Sequence, residues 1–119
     1  MEESTKEDIG EIIKFPDWEK MSLRVAKIIE VKEHPNANRL YIVDIDLGTE
    51  KRTLVAGLKG HYTADELLGK LCIVFSNIEP VVIRGIKSEG MILAAVSPDK
   101  SKVCILQPEK EIELGSRIY

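Results

Sequence analysis

Leu23-Arg24-Val25-Ala26-Lys27-Ile28-Ile29-Glu30-Val31-Lys32-Glu33, followed by His34-Pro35-Asn36-Ala37-Asn38, is the stretch on which the fold turns. Leu23, Val25, Lys27, Ile29 and Val31 alternate with Arg24, Ala26, Ile28, Glu30 and Lys32. A period of two with branched apolar residues in both sets reads as a long strand with two mostly apolar faces. The five residues after it are a dense turn signal, because proline fixes φ and asparagine tolerates left-handed backbone.

Outward from this strand the pattern repeats. Leu40–Leu47 reads as a second strand closed by Gly48-Thr49, and Arg52–Ala56 as a third ended by Gly57 and Gly60. Thr63-Ala64-Asp65-Glu66 is a capping box that opens one short helix, with Gly69 as its C′ stop. Leu71–Phe75 is a fourth strand, and Ser76–Gly90 a polar stretch around an apolar patch, Val81-Val82-Ile83. Met91–Val96 and Val103–Leu106 complete the set, with a turn at Ser97–Lys100. Strands at this spacing, with a single helix between the third and fourth, predict an all-β OB-fold: a five-stranded Greek-key barrel. Residues 1–16 read as an acidic helical arm, with Ser4 and Thr5 as caps, Ile9, Ile12 and Ile13 on one face and Pro16 as its end. Residues 17–119 form the barrel and a C-terminal extension.

With 119 residues, 44% hydrophobic and 31% charged, the chain has the size and balance of one globular domain. No apolar run approaches the ~18 residues of a membrane span, and the acidic N-terminus is no secretory signal, so a cytosolic protein is expected. The net charge of −3 is uneven. Residues 1–20 hold seven acids and three lysines, whereas the rest carries 14 basic and 13 acidic groups. The acidity belongs to the leader.

Catalytic patterns are missing. There is no nucleophile elbow or phosphate-cradling glycine loop, and Asp44 with Asp46 reads as two solvated strand carboxylates. Cys72, Cys104, His34 and His61 show no metal-ligand spacing, and both cysteines sit in apolar runs as small hydrophobes. No catalytic residue, metal or cofactor is assigned. Basic residues say more: Arg24, Lys27, Lys32, Arg39, Lys51, Arg52 and Lys59 populate the first three strands, and Arg84, Lys87, Lys100 and Lys102 follow. They are either interspersed solubilising charges or a set that folding gathers for phosphates. Aromatic residues are too few for serial base stacking, so phosphate contact and shape would dominate any nucleic-acid binding.

Leu23–Ile29 running into His34-Pro35-Asn36-Ala37-Asn38-Arg39-Leu40-Tyr41 resembles the start of the tRNA-binding domain family. Val55-Ala56-Gly57-Leu58, Ser76-Asn77-Ile78-Glu79-Pro80 and Arg84-Gly85-Ile86-Lys87-Ser88-Glu89-Gly90-Met91-Ile92-Leu93-Ala94 follow in the family's order, so the resemblance spans about Phe15 to Tyr119. It implies a non-catalytic OB-fold that binds tRNA by shape, as an auxiliary subunit or partner of a methionyl-tRNA synthetase chain. It implies tRNA contacts at Asn36, Asn38, Arg39, Asn77, Arg84, Lys87, Ser88 and Met91. Asn36 and Asn38 serve the turn equally well, Ser88 and Asn77 serve as backbone caps, and Met91 serves as core. Stand-alone relatives pair as homodimers, for which Ile9, Ile12, Ile13, Leu114 and Ile118 are the candidate interface residues here. A protein-binding module of chaperone or cytokine type, using Val81–Ile83, and a synthetase-assembly scaffold are the alternatives.

Overall fold

A computed structural model describes residues 10–119. Helix α1 (Phe15–Glu19) precedes strands β1 (Leu23–Glu33), β2 (Tyr41–Asp46) and β3 (Lys51–Ala56). Helix α2 (Ala64–Leu67) leads to β4 (Leu71–Phe75), β5 (Val81–Ile83), β6 (Ile86–Ser88), β7 (Met91–Ile92), β8 (Ala94–Val96) and β9 (Val103–Ile105). Five strands form one antiparallel sheet in the order β3-β2-β1-β4-β7, while β5–β6 and β8–β9 are separate hairpins. The sheet curls into a nearly closed barrel because β6 and β7 return beside β3, where the Glu89 N–H donates to Thr53 O at 3.0 Å. This is the OB-like all-β architecture that the strand order predicts.

β1 explains why both its faces are apolar. Ala26 and Ile28 point into the barrel with Tyr41, Val43, Ile45, Leu54, Leu67, Cys72 and Val74. Leu23 and Val25 point outward with Ile73, beneath Trp18 of α1 and Leu114 and Ile118 of the tail. The alternation does not run through to the end of the strand. Lys27 and Ile28 pair with Asp46 and Ile45, but Glu30 pairs with Asp44, which leaves Ile29 as a bulge. The extra residue inverts the phase: Val31 turns to the core and Glu30 to solvent, opposite to a strict period of two.

The tail completes the sheet. Where β2 no longer reaches β1, the Val25 N–H donates to Ser116 O (2.9 Å), Gly115 N–H to Val25 O (2.7 Å) and Ile118 N–H to Leu23 O (2.8 Å). Gly115 adopts φ +87° and an added Cβ would lie 2.5 Å from Leu47 O, so only glycine lets the tail pass the β2–β3 turn. Leu114 and Ile118 are therefore partly buried against their own barrel.

Four other expectations change. Pro16 does not end a helix: it occupies the first turn of α1, where its missing N–H costs no bond. Residues 10–14 are not helical, and Ile12 and Ile13 are exposed; Ile9 lies outside the described residues. The stretch expected as one strand over Met91–Val96 divides at Leu93, which bonds across to β4 through Ile73 O while β8 departs to pair with β9. Cys72 is fully buried and burial pushes its thiol up to about 12, which leaves it an inert core residue. Cys104, on the open face of β9, is exposed rather than buried.

The tail's role as part of the fold has a direct consequence. Gly115→Ala forces both a strained φ and a backbone clash, and it lowers stability by at least about 2 kcal/mol in urea unfolding. An unchanged midpoint would show that the extension is only laid against the barrel.

Candidate nucleic-acid interface

The β1–β2 loop and the β5–β6 hairpin meet at one end of the barrel. A backbone bond from His34 N–H to Leu40 O (3.2 Å) closes the loop at its base. Asn36, Asn38 and Arg39 are exposed on it, and neither asparagine takes positive φ. Both sit in turns, but neither is there to supply left-handed backbone. Their side chains are left facing solvent with no hydrogen-bond partner among the described residues.

The hairpin is tight. Ile83 pairs with Ile86, so Arg84-Gly85 is a two-residue loop with both residues at positive φ, +51° and +87°. This is the signature of a primed turn, whose first position favours Asn, Asp or Gly. An arginine there carries a backbone cost of roughly 1–2 kcal/mol without a packing gain. Along the ribbon, Ile83, Ile86 and Ser88 face the barrel while Val82 and Lys87 face out.

Charge at this end is uncompensated. Lys20, Lys32, Arg52 and Lys59 are paired with Asp17, Glu30, Glu50 and Glu33. Arg39, Arg84 and Lys87 have no carboxylate within ion-pair reach among the described residues. Other arginines are structural. Arg52 donates to Ser76 O and to Glu89 O, pinning the barrel seam, and Arg24 donates to Ser22 Oγ and Gly115 O. Asp44 and Asp46 are also spent locally, accepting from the Thr53 hydroxyl and the Gly48 N–H.

One expected contact residue leaves the surface set, and a second stays on the surface but is tied into the fold. Ser88 is 2% exposed; its hydroxyl accepts from the Val55 N–H (2.9 Å) and donates to Gly90 O (3.1 Å), which seals β6 to β3. Asn77 is exposed, but its Oδ1 accepts from the Ser22 N–H and its Nδ2 donates to Lys20 O, strapping the β4–β5 loop to the segment before β1. Met91 is 43% exposed and offers an apolar ledge beside Val55–Leu58 and β8. Tyr41 and Tyr62 offer no stacking platform, since the Tyr41 hydroxyl donates to Tyr62 O and the Tyr62 hydroxyl accepts from the Ile105 N–H. The β1–β2 loop and the hairpin form one rim carrying Asn36, Asn38, Arg39, Arg84 and Lys87, while Met91 lies beside Val55–Leu58. Sequence reasoning passed over His34, which is buried at the base of this rim and bonded to Ile83 O.

Comparison with known proteins gives the rim its context. A family model described as "Putative tRNA binding domain" matches residues 23–117. Methionine–tRNA ligase of Pyrococcus horikoshii is 52% identical over 118 residues, covering 99% of this chain and 16% of the ligase. The ligase of Thermotoga maritima is 43% identical over 106 residues, with 89% and 16% covered. The chain therefore spans about one sixth of the length of these relatives. Among solved structures, a MetRS-related protein from Pyrococcus horikoshii superposes with a TM-score of 0.86 at 26% identity, covering 92% of this chain and all of that one. The chaperone CsaA of Bacillus anthracis gives 0.82 at 26% identity with the same coverage. The match over residues 23–117 takes in the barrel, both arms of the rim and the tail that closes the sheet, and the chain belongs to the tRNA-binding domain family.

Proposed function

We infer that this chain binds tRNA through the rim formed by the β1–β2 loop and the β5–β6 hairpin, and that it catalyses no reaction itself. The observation that carries this reading is Arg84. Its left-handed backbone is a cost that folding alone would remove by placing Asn there, and its guanidinium stands unpaired at the hairpin tip. Arg39 and Lys87 supply further phosphate contacts, while Asn36 and Asn38 donate to phosphate or 2′-hydroxyl oxygens. The lack of a stacking platform at Tyr41 and Tyr62 fits recognition of folded RNA over single strands. In this reading the protein works in the cytosol, adding tRNA affinity to a methionyl-tRNA synthetase chain without selecting the amino acid.

A second reading has one observation in its favour. Val81 and Val82 remain 54% and 65% exposed, and two similar solved structures are CsaA chaperones, so the hairpin also offers an apolar strip to a polypeptide. Copies of the chain pair in our reading. Ile12 and Ile13 are 94% and 62% exposed and need a covering surface, with Leu114 and Ile118 presenting only the parts of their side chains not spent on β1. Sedimentation of the full chain and of residues 17–119, alone and with a methionyl-tRNA synthetase catalytic chain, tests this. The full chain sediments as a dimer and joins the synthetase, and the truncated chain loses at least one of the two. Identical behaviour would remove the leader from both roles.

Filter binding of mixed tRNA across salt concentrations tests the main reading. Three phosphate contacts predict a log–log slope of magnitude roughly 2–3. Arg84→Asn weakens binding by about 1 kcal/mol while holding or raising the unfolding midpoint, because Asn suits the turn and lacks the charge. Unaltered affinity in this variant, or a slope near zero, would contradict the phosphate-contact interface.

A further inference from the structure

His34 is 4% exposed although it opens a surface loop. Its main chain holds that loop together, donating to Leu40 O and accepting from the Ala37 N–H. Its ring is used on both sides. Nδ1 lies 3.0 Å from the Asn36 N–H, and an amide nitrogen only donates, so Nδ1 is the unprotonated acceptor. Nε2 then carries the hydrogen and donates to the carbonyl of Ile83 at 3.1 Å. One neutral tautomer satisfies both partners.

Ile83 immediately precedes Arg84, so this bond ties the tip of the hairpin to the loop that bears Arg39. The strand ladder does not do so. β5 and β6 pair only with each other, and their seal to β3 through Ser88 and Val55 lies at the hairpin's open end. At the tip, where Ile83 and Ile86 are only half-buried, no strand ladder fixes the ribbon's tilt. We propose that His34 is the positioning residue of the interface: it locks the β5–β6 tip against the β1–β2 loop, so that Arg84 and Lys87 engage the same RNA backbone as Arg39. The inference rests on the tRNA reading above and extends it to a residue that never touches RNA.

Two substitutions separate the two ring bonds. Glutamine places a side-chain donor near the Nε2 position, whereas asparagine places an acceptor near the Nδ1 position. His34→Gln therefore keeps the link to Ile83, and His34→Asn keeps only the bond within the loop. Filter binding with unfractionated tRNA is measured across salt concentrations, with thermal unfolding recorded to confirm that each variant is folded. His34→Gln stays within about twofold of the native protein. His34→Asn loses roughly tenfold, and its salt slope falls by about two, the share of Arg84 and Lys87. A lower folded fraction alone would leave that slope unchanged. Native-like binding by His34→Asn, or equal loss in both variants, overturns the proposal. If native protein binds tRNA and Arg84→Asn weakens it while His34→Asn does not, only the role of His34 falls. If native protein binds no tRNA at low salt, the functional reading falls with it.

Discussion

Every part of this small barrel depends on β1 being paired along both edges and covered on both faces. Its first half hydrogen-bonds β4 on one side and the C-terminal tail on the other, and its second half continues onto β2. Its inward residues Ala26 and Ile28 make the core, and its outward residues Leu23 and Val25 hold α1 and the tail. Burying a strand on both sides supplies apolar area that a barrel of this size otherwise lacks. The bulge at Ile29 follows from the same arrangement. Within the one five-stranded sheet it bends the strand between its half paired with β4 and its half paired with β2, on the way to His34 at the barrel's rim.

Some local signals in the sequence were legible because their physics is local, whereas Pro16 opens a helix turn that it was expected to close. The capping box forms as expected, with the Glu66 carboxylate held below its usual range first by the Thr63 N–H and then by the Thr63 hydroxyl. The strands around β1 were legible from their period. The hairpin β5–β6 was not, since Arg84 stands where Asn, Asp or Gly is usual and Ser76–Gly90 carries no period. The structural bonds of Ser88 and Asn77 were not legible, because their partners Val55, Ser22 and Lys20 lie 33 to 57 residues away and no local pattern announces them. Cys104 was misread for a related reason: an apolar run implies burial only if both faces are covered, and β9 sits in a separate two-stranded hairpin.

The charge balance acquires a structural meaning. A near-neutral barrel region can still present a positive rim, because most of its other cations are neutralised by neighbours or consumed in the frame. Arg24, Arg52 and Arg117 bind backbone carbonyls, and Lys70 lies 5.5 Å over the Tyr62 ring. Three unpaired cations on two loops make a modest electrostatic site. Its selectivity then depends on how rigidly the loops are held, which is why a buried histidine between them carries functional weight.

The central claim is that tRNA meets the protein at this rim, and nuclear magnetic resonance of a 13.4 kDa chain locates it directly. Titrating unfractionated tRNA into isotope-labelled protein is predicted to shift or broaden the amides of residues 36–40 and 82–88 first, leaving β8–β9 and the tail unaffected. Perturbations centred on β8–β9 or the tail, or none at low salt, would contradict the account.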